Sequence, residues 1–417
     1  LSTPPVEEHL FRREYARLVA TLARRFGMRH LDAIEDAAQS ALLSALETWT
    51  TRGIPENPSA WLLRVAHNEL LEDLRRRARR ERLVAQHARG GTGEAPEKEE
   101  RALLGGDVRD DLLRMMFACC DDSIPIESQL VLALKTLSGF DVREIAERLF
   151  TTEANVYKRL ARARSTLRDL RFEPGALTPE LLRARLPAVQ SILYLMFTEG
   201  YLSSHAQFAI RGEVCDEAKR LTEIVAEHSL TATPETFALL ALMHLHAARM
   251  SARQDAFGGL LLLDEQDRSL WNATEIQIGL SWLARSASGD VFSRYHAEAG
   301  IAAEHCLSPS FAQTRWDRIV EGYTLLERVA PSALSTLNRA LAIAEWKGAE
   351  EGLAVLGGLV PPSWLEGSYQ WAAVLADLHR RCGHDEAATR YREAALASAP
   401  SAAIREALRR RLQMAAR

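Results

Sequence analysis

Apolar residues recur at helical spacing along almost the whole chain, and stretches that alternate apolar and polar residues are nearly absent. That periodicity predicts an all-α protein. Glycine, proline and polar clusters then punctuate it into helices of ordinary length. A first unit is expected over residues 7–82, broken at Gly27 to His30 and at Gly53 to Pro58. Ser59 is expected to cap the helix that carries Trp61. A flexible linker is expected over residues 83–106, because Gly90, Gly91, Gly93, Pro96 and a Glu/Lys run bury too little apolar surface to offset ordering. A second compact unit follows over 107–172, with breaks at Leu137 to Phe140 and Phe150 to Thr152.

Residues 178–417 read as a succession of helical hairpins, with breaks near Gly212, Thr231 to Pro234, Gly289, Ser308, Pro331, Gly348, Pro361, Gly383 and Pro400. In the last hairpin, Leu375, Ala376, Gly383, Ala387, Tyr391, Ala394 and Pro400 approximate a tetratricopeptide repeat, in which small residues let two helices approach and a glycine makes the turn.

Asp141 to Leu167 is the most informative segment. Val142, Ile145, Ala146 and Leu149 form the apolar stripe of a short helix. After a tight turn, Val156, Leu160, Ala163 and Leu167 line a second helix at spacings of four, three and four. This is the pattern of a helix-turn-helix, whose second helix enters a major groove. That helix is basic. Asn155 and Tyr157 sit near its start, where side chains reach base edges, and Asn155 and Lys158 are the candidates for base reading. Arg159, Arg162 and Arg164 follow, and Arg162 and Arg164 suit phosphates. An amphipathic hairpin with a solvated basic face has the same pattern.

The formal net charge of -4 argues against nucleic-acid binding by the chain as a whole. The arginines, however, crowd into Arg75 to Arg82 and Lys158 to Arg171, and a patch attracts phosphates whatever the total. The 417 residues predict two or three domains. Five cysteines without a CxxC pair predict reduced thiols in a cytoplasm. No signal peptide or membrane-spanning run is recognised. Enzyme signatures are missing as well. His244 and His246 lack the zinc-site HExxH spacing, and there is no phosphate-binding glycine loop or GxSxG. Neither metal nor cofactor is expected. Glu199, Asp264, Glu265 and Asp267 read as capping or bridging residues, with the lining of a ligand or peptide groove as the other reading.

Glu144-Ile145-Ala146-Glu147, Val156, Arg159-Leu160 and Arg162-Ala163-Arg164 resemble the promoter-reading helix-turn-helix of extracytoplasmic-function (ECF) RNA polymerase sigma factors. The resemblance implies that this unit binds the minus-35 element. Thr152 and Asn155 stand where that family often has a proline and a threonine, so base preference is expected to differ.

Ile34 to Ser40, continuing to Trp49, resembles the family's polymerase-docking helix, which implies docking roles for Glu35, Asp36, Gln39 and Leu43. Asn57 to Asn68 and Leu71 to Arg80 resemble the segment that binds and opens the minus-10 element. Trp61, Arg64, Asn68, Arg75, Arg76, Arg77 and Arg79 are its candidates, because opening needs a surface for an unstacked base and arginines to track the backbone. Trp61 suits a core anchor equally well.

Phe197 to Tyr201, Asp264 to Arg268 with Trp271, and Leu337 to Ala340 resemble the C-terminal extension of one subgroup of these factors. The resemblance implies a tetratricopeptide-like regulatory domain. Its expected partners are core polymerase, promoter DNA and a small YCII-related protein, with no membrane. Two other readings fit parts of the chain. One is a helix-turn-helix regulator whose helical domain senses a ligand or peptide. The other is a tetratricopeptide-like scaffold without DNA affinity.

Overall fold

Helices make up nearly every element of the computed structural model, which describes residues 5–86, 108–149, 151–169, 178–201, 212–254, 261–400 and 402–413. No extended strand occurs among them. The chain divides into two compact units, residues 1–192 and 193–417. The division falls within one helix.

The first unit begins with α1 (Pro5–Phe26), a 3-10 turn (Met28–His30), α2 (Leu31–Arg52) and α3 (Pro58–Gln86). Gly27 and Gly53 make the breaks, with φ of 86° and 80° that side-chain-bearing residues rarely adopt. The start of α3 differs from expectation. Pro58 opens the helix, where its missing N–H costs nothing. Asn57 acts as its cap, its Oδ1 accepting from the Ala60 N–H at 3.0 Å. Ser59 lies inside the helix and donates instead to Glu14 Oε1. Residues 83–86, the start of the expected linker, continue α3, and 87–107 lie outside the described residues.

Next come α4 (Val108–Cys119), α5 (Ile126–Thr136), α6 (Val142–Arg148) and α7 (Glu153–Asp169). A capping box starts α6: Asp141 accepts from the Glu144 N–H, and Glu144 accepts from the Asp141 N–H. Thr152 Oγ1 accepts from the Asn155 N–H where α7 starts. Of the expected turn, Phe150 lies outside the described residues. Val156, Leu160, Ala163 and Leu167 are buried, as is Ala146.

These helices do not form two separate bodies. Arg24 on α1 pairs with buried Asp111 on α4 at 2.9 Å. Glu35 on α2 is 3% exposed, accepts from Thr136 Oγ1 on α5 at 2.8 Å, and pairs with Arg164 on α7. Arg164 also holds Asp32 at 2.8 Å. One guanidinium thus ties the front of α2 to the middle of α7. Burial raises the Glu35 carboxyl above its ordinary value, with Arg164, Thr136 and Lys135 opposing the rise. The beginning of α8 (Pro179–Tyr201) is held to the same unit by Arg185, which bonds Asp121 and the Phe117 carbonyl.

The second unit continues with α9 (Gly212–Glu227), α10 (Pro234–Ala247) and α11 (Ala273–Ser286), then α12 (Arg294–Leu307), α13 (Trp316–Val329) and α14 (Ala333–Lys347). It ends with α15 (Ala349–Gly357), the short α16 (Ser363–Glu366), α17 (Tyr369–Arg381), α18 (Asp385–Ala397) and α19 (Ala402–Gln413). Helices consecutive in the chain pack on one another, and α17 and α18 fold back across Gly383, at φ 75°. Close approach depends on small residues. A Cβ on Gly352 would stand 2.8 Å from the Ala340 carbonyl oxygen and 2.9 Å from the Ala344 Cβ.

Two predictions follow from this packing. Gly352→Ala should destabilise the second unit by about 1–3 kcal/mol through overpacking of α14 against α15, read by thermal melting. The other concerns Glu35, whose folded-state proton affinity exceeds its unfolded one. Its contribution to stability is therefore complete below about pH 4.5 and lost as pH rises through the raised value. Arg164→Ala removes the main opposing charge and should cost on the order of 3 kcal/mol at pH 8 and clearly less at pH 5. Adding Glu35→Gln should recover most of the loss. Urea titrations followed by helical circular dichroism would measure this, and a pH-independent loss would show that the ion pair is unimportant.

Candidate nucleic-acid and polymerase interface

The expected site residues fall onto faces of three helices. A step of one residue turns a helix by about 100°, so side-chain direction follows from position. On α7, Asn155, Lys158, Arg159 and Arg162 share one face, opposite the buried stripe. Lys158 and Arg162 are exposed, while Asn155 and Arg159 are partly exposed. Asn155 donates to Thr151 Oγ1 at 2.7 Å, which fixes the amide at the start of the helix. Tyr157, Arg164 and Arg168 lie on another face. Arg164 bonds Asp32 and Glu35, and Arg168 reaches Asp32 at 4.0 Å.

That second face looks across a cleft of about 510 Å³ onto α2, where Asp32, Glu35, Asp36 and Gln39 meet Tyr157 and Arg164. The structure therefore separates the six minus-35 candidates. Four share the outer face of α7, and Tyr157 and Arg164 border the cleft.

On α2, Asp36, Gln39 and Leu43 are exposed in one line, and Leu43 is 62% exposed. Leu46, 43% exposed, extends the line by one turn and was not anticipated. Its signal was available in the sequence, as an apolar residue at i+3 from Leu43 and i+7 from Gln39. Glu35 is withdrawn from this face into the junction with α5 and α7. Polar Asp36 and Gln39 with bare Leu43 and Leu46 make an amphipathic strip suited to a polar, partly apolar partner.

On α3, Trp61, Arg64, Asn68, Arg75 and Arg79 fall along one side, at i, i+3, i+7, i+14 and i+18. That strip runs about 27 Å along the axis. Arg64, Asn68, Arg75 and Arg79 are exposed. Trp61 is partly buried, its ring 5.6 Å from that of Trp49, so it anchors α3 on α2 while keeping one edge at the surface. Arg77 points to the opposite side and pairs with Asp73 at 2.5 Å, and Arg76 reaches the same carboxylate at 3.9 Å. Four cationic or amide groups thus line one side of α3 beside a partly exposed tryptophan.

In the second unit, His244 belongs to a structural network. It bonds Glu275 at 2.6 Å, and Lys219 bonds the same carboxylate at 2.8 Å. Burial alone would raise the Glu275 carboxyl, but these two partners hold it down at about 2. Glu265 accepts from the Leu262 N–H and Asp267 from the Ser269 N–H, both local caps. No group of three or more His, Cys, Asp or Glu among the described residues is placed to hold a metal ion. No helix among them is long and apolar enough to cross a membrane. The five cysteines are unpaired, with Cys119, Cys120 and Cys215 buried.

Comparison with known proteins agrees with the order of these faces. The model of Sigma-70 region 2 matches residues 11–80, and that of Sigma-70, region 4, matches residues 114–167. A family of unknown function (DUF6596) matches residues 185–287. An uncharacterized protein of Rhizobium meliloti is 35% identical over 332 residues, covering 79% of this chain and 77% of that protein. No solved structure matches the chain. Region 2 carries the α2 and α3 faces and region 4 carries the α6–α7 pair, so the chain contains both of these Sigma-70 domains, in this order.

Proposed function

We propose that this protein is an ECF-type sigma factor that binds core RNA polymerase and directs it to promoters, and that its C-terminal helices regulate it. The observation that supports the reading is the sorting of polar side chains onto three separate exposed strips on α2, α3 and α7, within the residues that the two Sigma-70 domains cover. Asp36, Gln39 and Leu43 on α2, with Leu46, form the polymerase-docking strip. Trp61, Arg64, Asn68, Arg75 and Arg79 on α3 follow and open the minus-10 element, with Arg76 and Arg77 as flanking charge. Asn155, Lys158, Arg159 and Arg162 on α7 read the minus-35 element, the first two at base edges and the others at phosphates. Tyr157 and Arg164 join this set once the cleft against α2 opens. Catalysis belongs to the polymerase.

The C-terminal helices act as a tetratricopeptide-like regulatory domain in this reading, and the fold-back of α17 on α18 across Gly383 supports it. A small YCII-related partner rests on the sequence resemblance alone. Cytoplasmic location follows from the proposed partner.

In transcription with core polymerase on a promoter library, addition of the protein should give sequence-selective starts. Lys158→Ala with Arg162→Ala should weaken minus-35 contact by tenfold or more, because each such contact contributes about 1–3 kcal/mol. Unchanged footprints there would move the reading helix elsewhere. Asp36→Ala with Gln39→Ala should weaken core binding with melting unchanged; wild-type affinity would place docking on another surface.

A further inference from the structure

Several arginines of the second unit meet no carboxylate among the described residues. Arg249, Arg253 and Arg268 make no ion pair among the described residues, although all three lie in one neighbourhood. The guanidiniums of Arg249 and Arg268 sit 4.9 Å and 5.0 Å from the ring of Trp271. That of Arg253 sits 4.1 Å from the ring of Tyr201, whose neighbour at 4.5 Å is the His246 ring. Arg249 and Arg268 together depress His305, which burial already pushes down, to about 3, while Arg249 and Arg253 act on buried His246 in the same sense.

Two of the three charges have an evident counterweight. Arg253 donates to the Tyr201 carbonyl at the C-terminal end of α8. Arg268 donates to the His305 and Ser308 carbonyls at the end of α12, and to Thr314 Oγ1. Helix C-termini carry about half a negative charge each, so both arginines sit where the backbone favours them. Arg249 has no such place. Its one hydrogen bond among the described residues is a long contact of 3.4 Å to the neutral Gln266 side chain, and its Nε is sealed from solvent without a partner among them.

The polar atoms beside it are orphaned too. Trp271, 6% exposed, has no acceptor for its indole N–H, and His305, 9% exposed, has no partner for Nδ1. Buried donors are rarely left unmade, because each costs about 1–3 kcal/mol. Here a guanidinium N–H and an indole N–H share one neighbourhood with a neutral imidazole nitrogen, and one positive charge there is uncompensated. A bound oxyanion supplies what the site lacks: one negative charge and several acceptor lone pairs.

We propose that Arg249, Trp271 and His305, backed by Arg268, form a binding site for a small oxyanion-bearing molecule, a phosphate or a carboxylate. Arg249 supplies the charge, Trp271 Nε1 donates one hydrogen bond, and His305 donates another from Nδ1 in the matching tautomer. Arg268 holds the end of α12 against the site through its backbone bonds. The cluster joins the segment after α10 to the end of α12, so an anion there would tighten the middle of the second unit.

The test is melting of the full-length protein in inorganic phosphate, in succinate, and in chloride at equal ionic strength. A saturable rise of about 3 °C or more over chloride in phosphate, in succinate, or in both is expected. Phosphate alone would identify a phosphoryl ligand and succinate alone a carboxylate. Arg249→Met should abolish the rise and, having lost an unbalanced charge, should melt in chloride no lower than wild type. Arg315→Met, at an exposed arginine paired with Glu304, should keep the full response. If Arg249→Met does not fold, Trp271→Phe keeps the ring and loses the N–H, and its rise should be at most half. No response of the wild type to either anion, or an equal response in Arg249→Met or Trp271→Phe, would overturn the proposal.

Discussion

Much of the first unit depends on where a single carboxylate is put. Glu35 comes from a helix whose neighbouring acids are solvated, yet it is sealed where α2, α5 and α7 meet. A carboxylate removed from water is costly, and the raised proton affinity of Glu35 shows that its partners do not fully offset the cost. What the arrangement gains is definition. The guanidinium of Arg164 can satisfy Glu35 and Asp32 together in only one register of α7 against α2. Apolar packing alone would allow several, since the inner face of α2 is mostly alanine.

Local features were easy to read in the sequence, and distant ones were not. Helices α6 and α7 appeared as stripes because Ile145, Val156, Leu160 and Leu167 keep helical spacing, and all four are buried. Breaks at Gly27, Gly53 and Gly383 were legible because each needs a positive φ. The fate of Glu35 was not legible, because its partner lies 129 residues away. It also stands one step of about 100° from exposed Asp36, at the edge between the two faces of α2. Ser59 was taken for a cap because it follows a proline, but that proline itself occupies the first helical position and hands the role to Asn57. Two 3-10 turns between α10 and α11, Met250–Ala252 and Arg268–Leu270, were not legible either, because the Asp267 cap and the arginines against Trp271 leave no trace in spacing.

Charge is handled differently in the two units. The first places acids and bases from remote helices together and separates its exposed cations onto strips. The second also pairs remote groups, as when Lys219 and His244 share Glu275, but in addition sets Arg253 and Arg268 against carbonyls at helix ends. Neither device would show in a net charge of -4, which averages over surfaces of opposite kind.

The two faces of α7 have a consequence for how such a protein can change over generations. Lys158 and Arg162 stand more than a quarter-turn from Arg164, and no ion pair joins them to α2 among the described residues. Substitutions on the outer face can accumulate without loosening the helix from its seat. Changes at Arg164 or Asp32 can alter the seat while leaving the outer face untouched. One seventeen-residue helix thus carries two separately heritable traits.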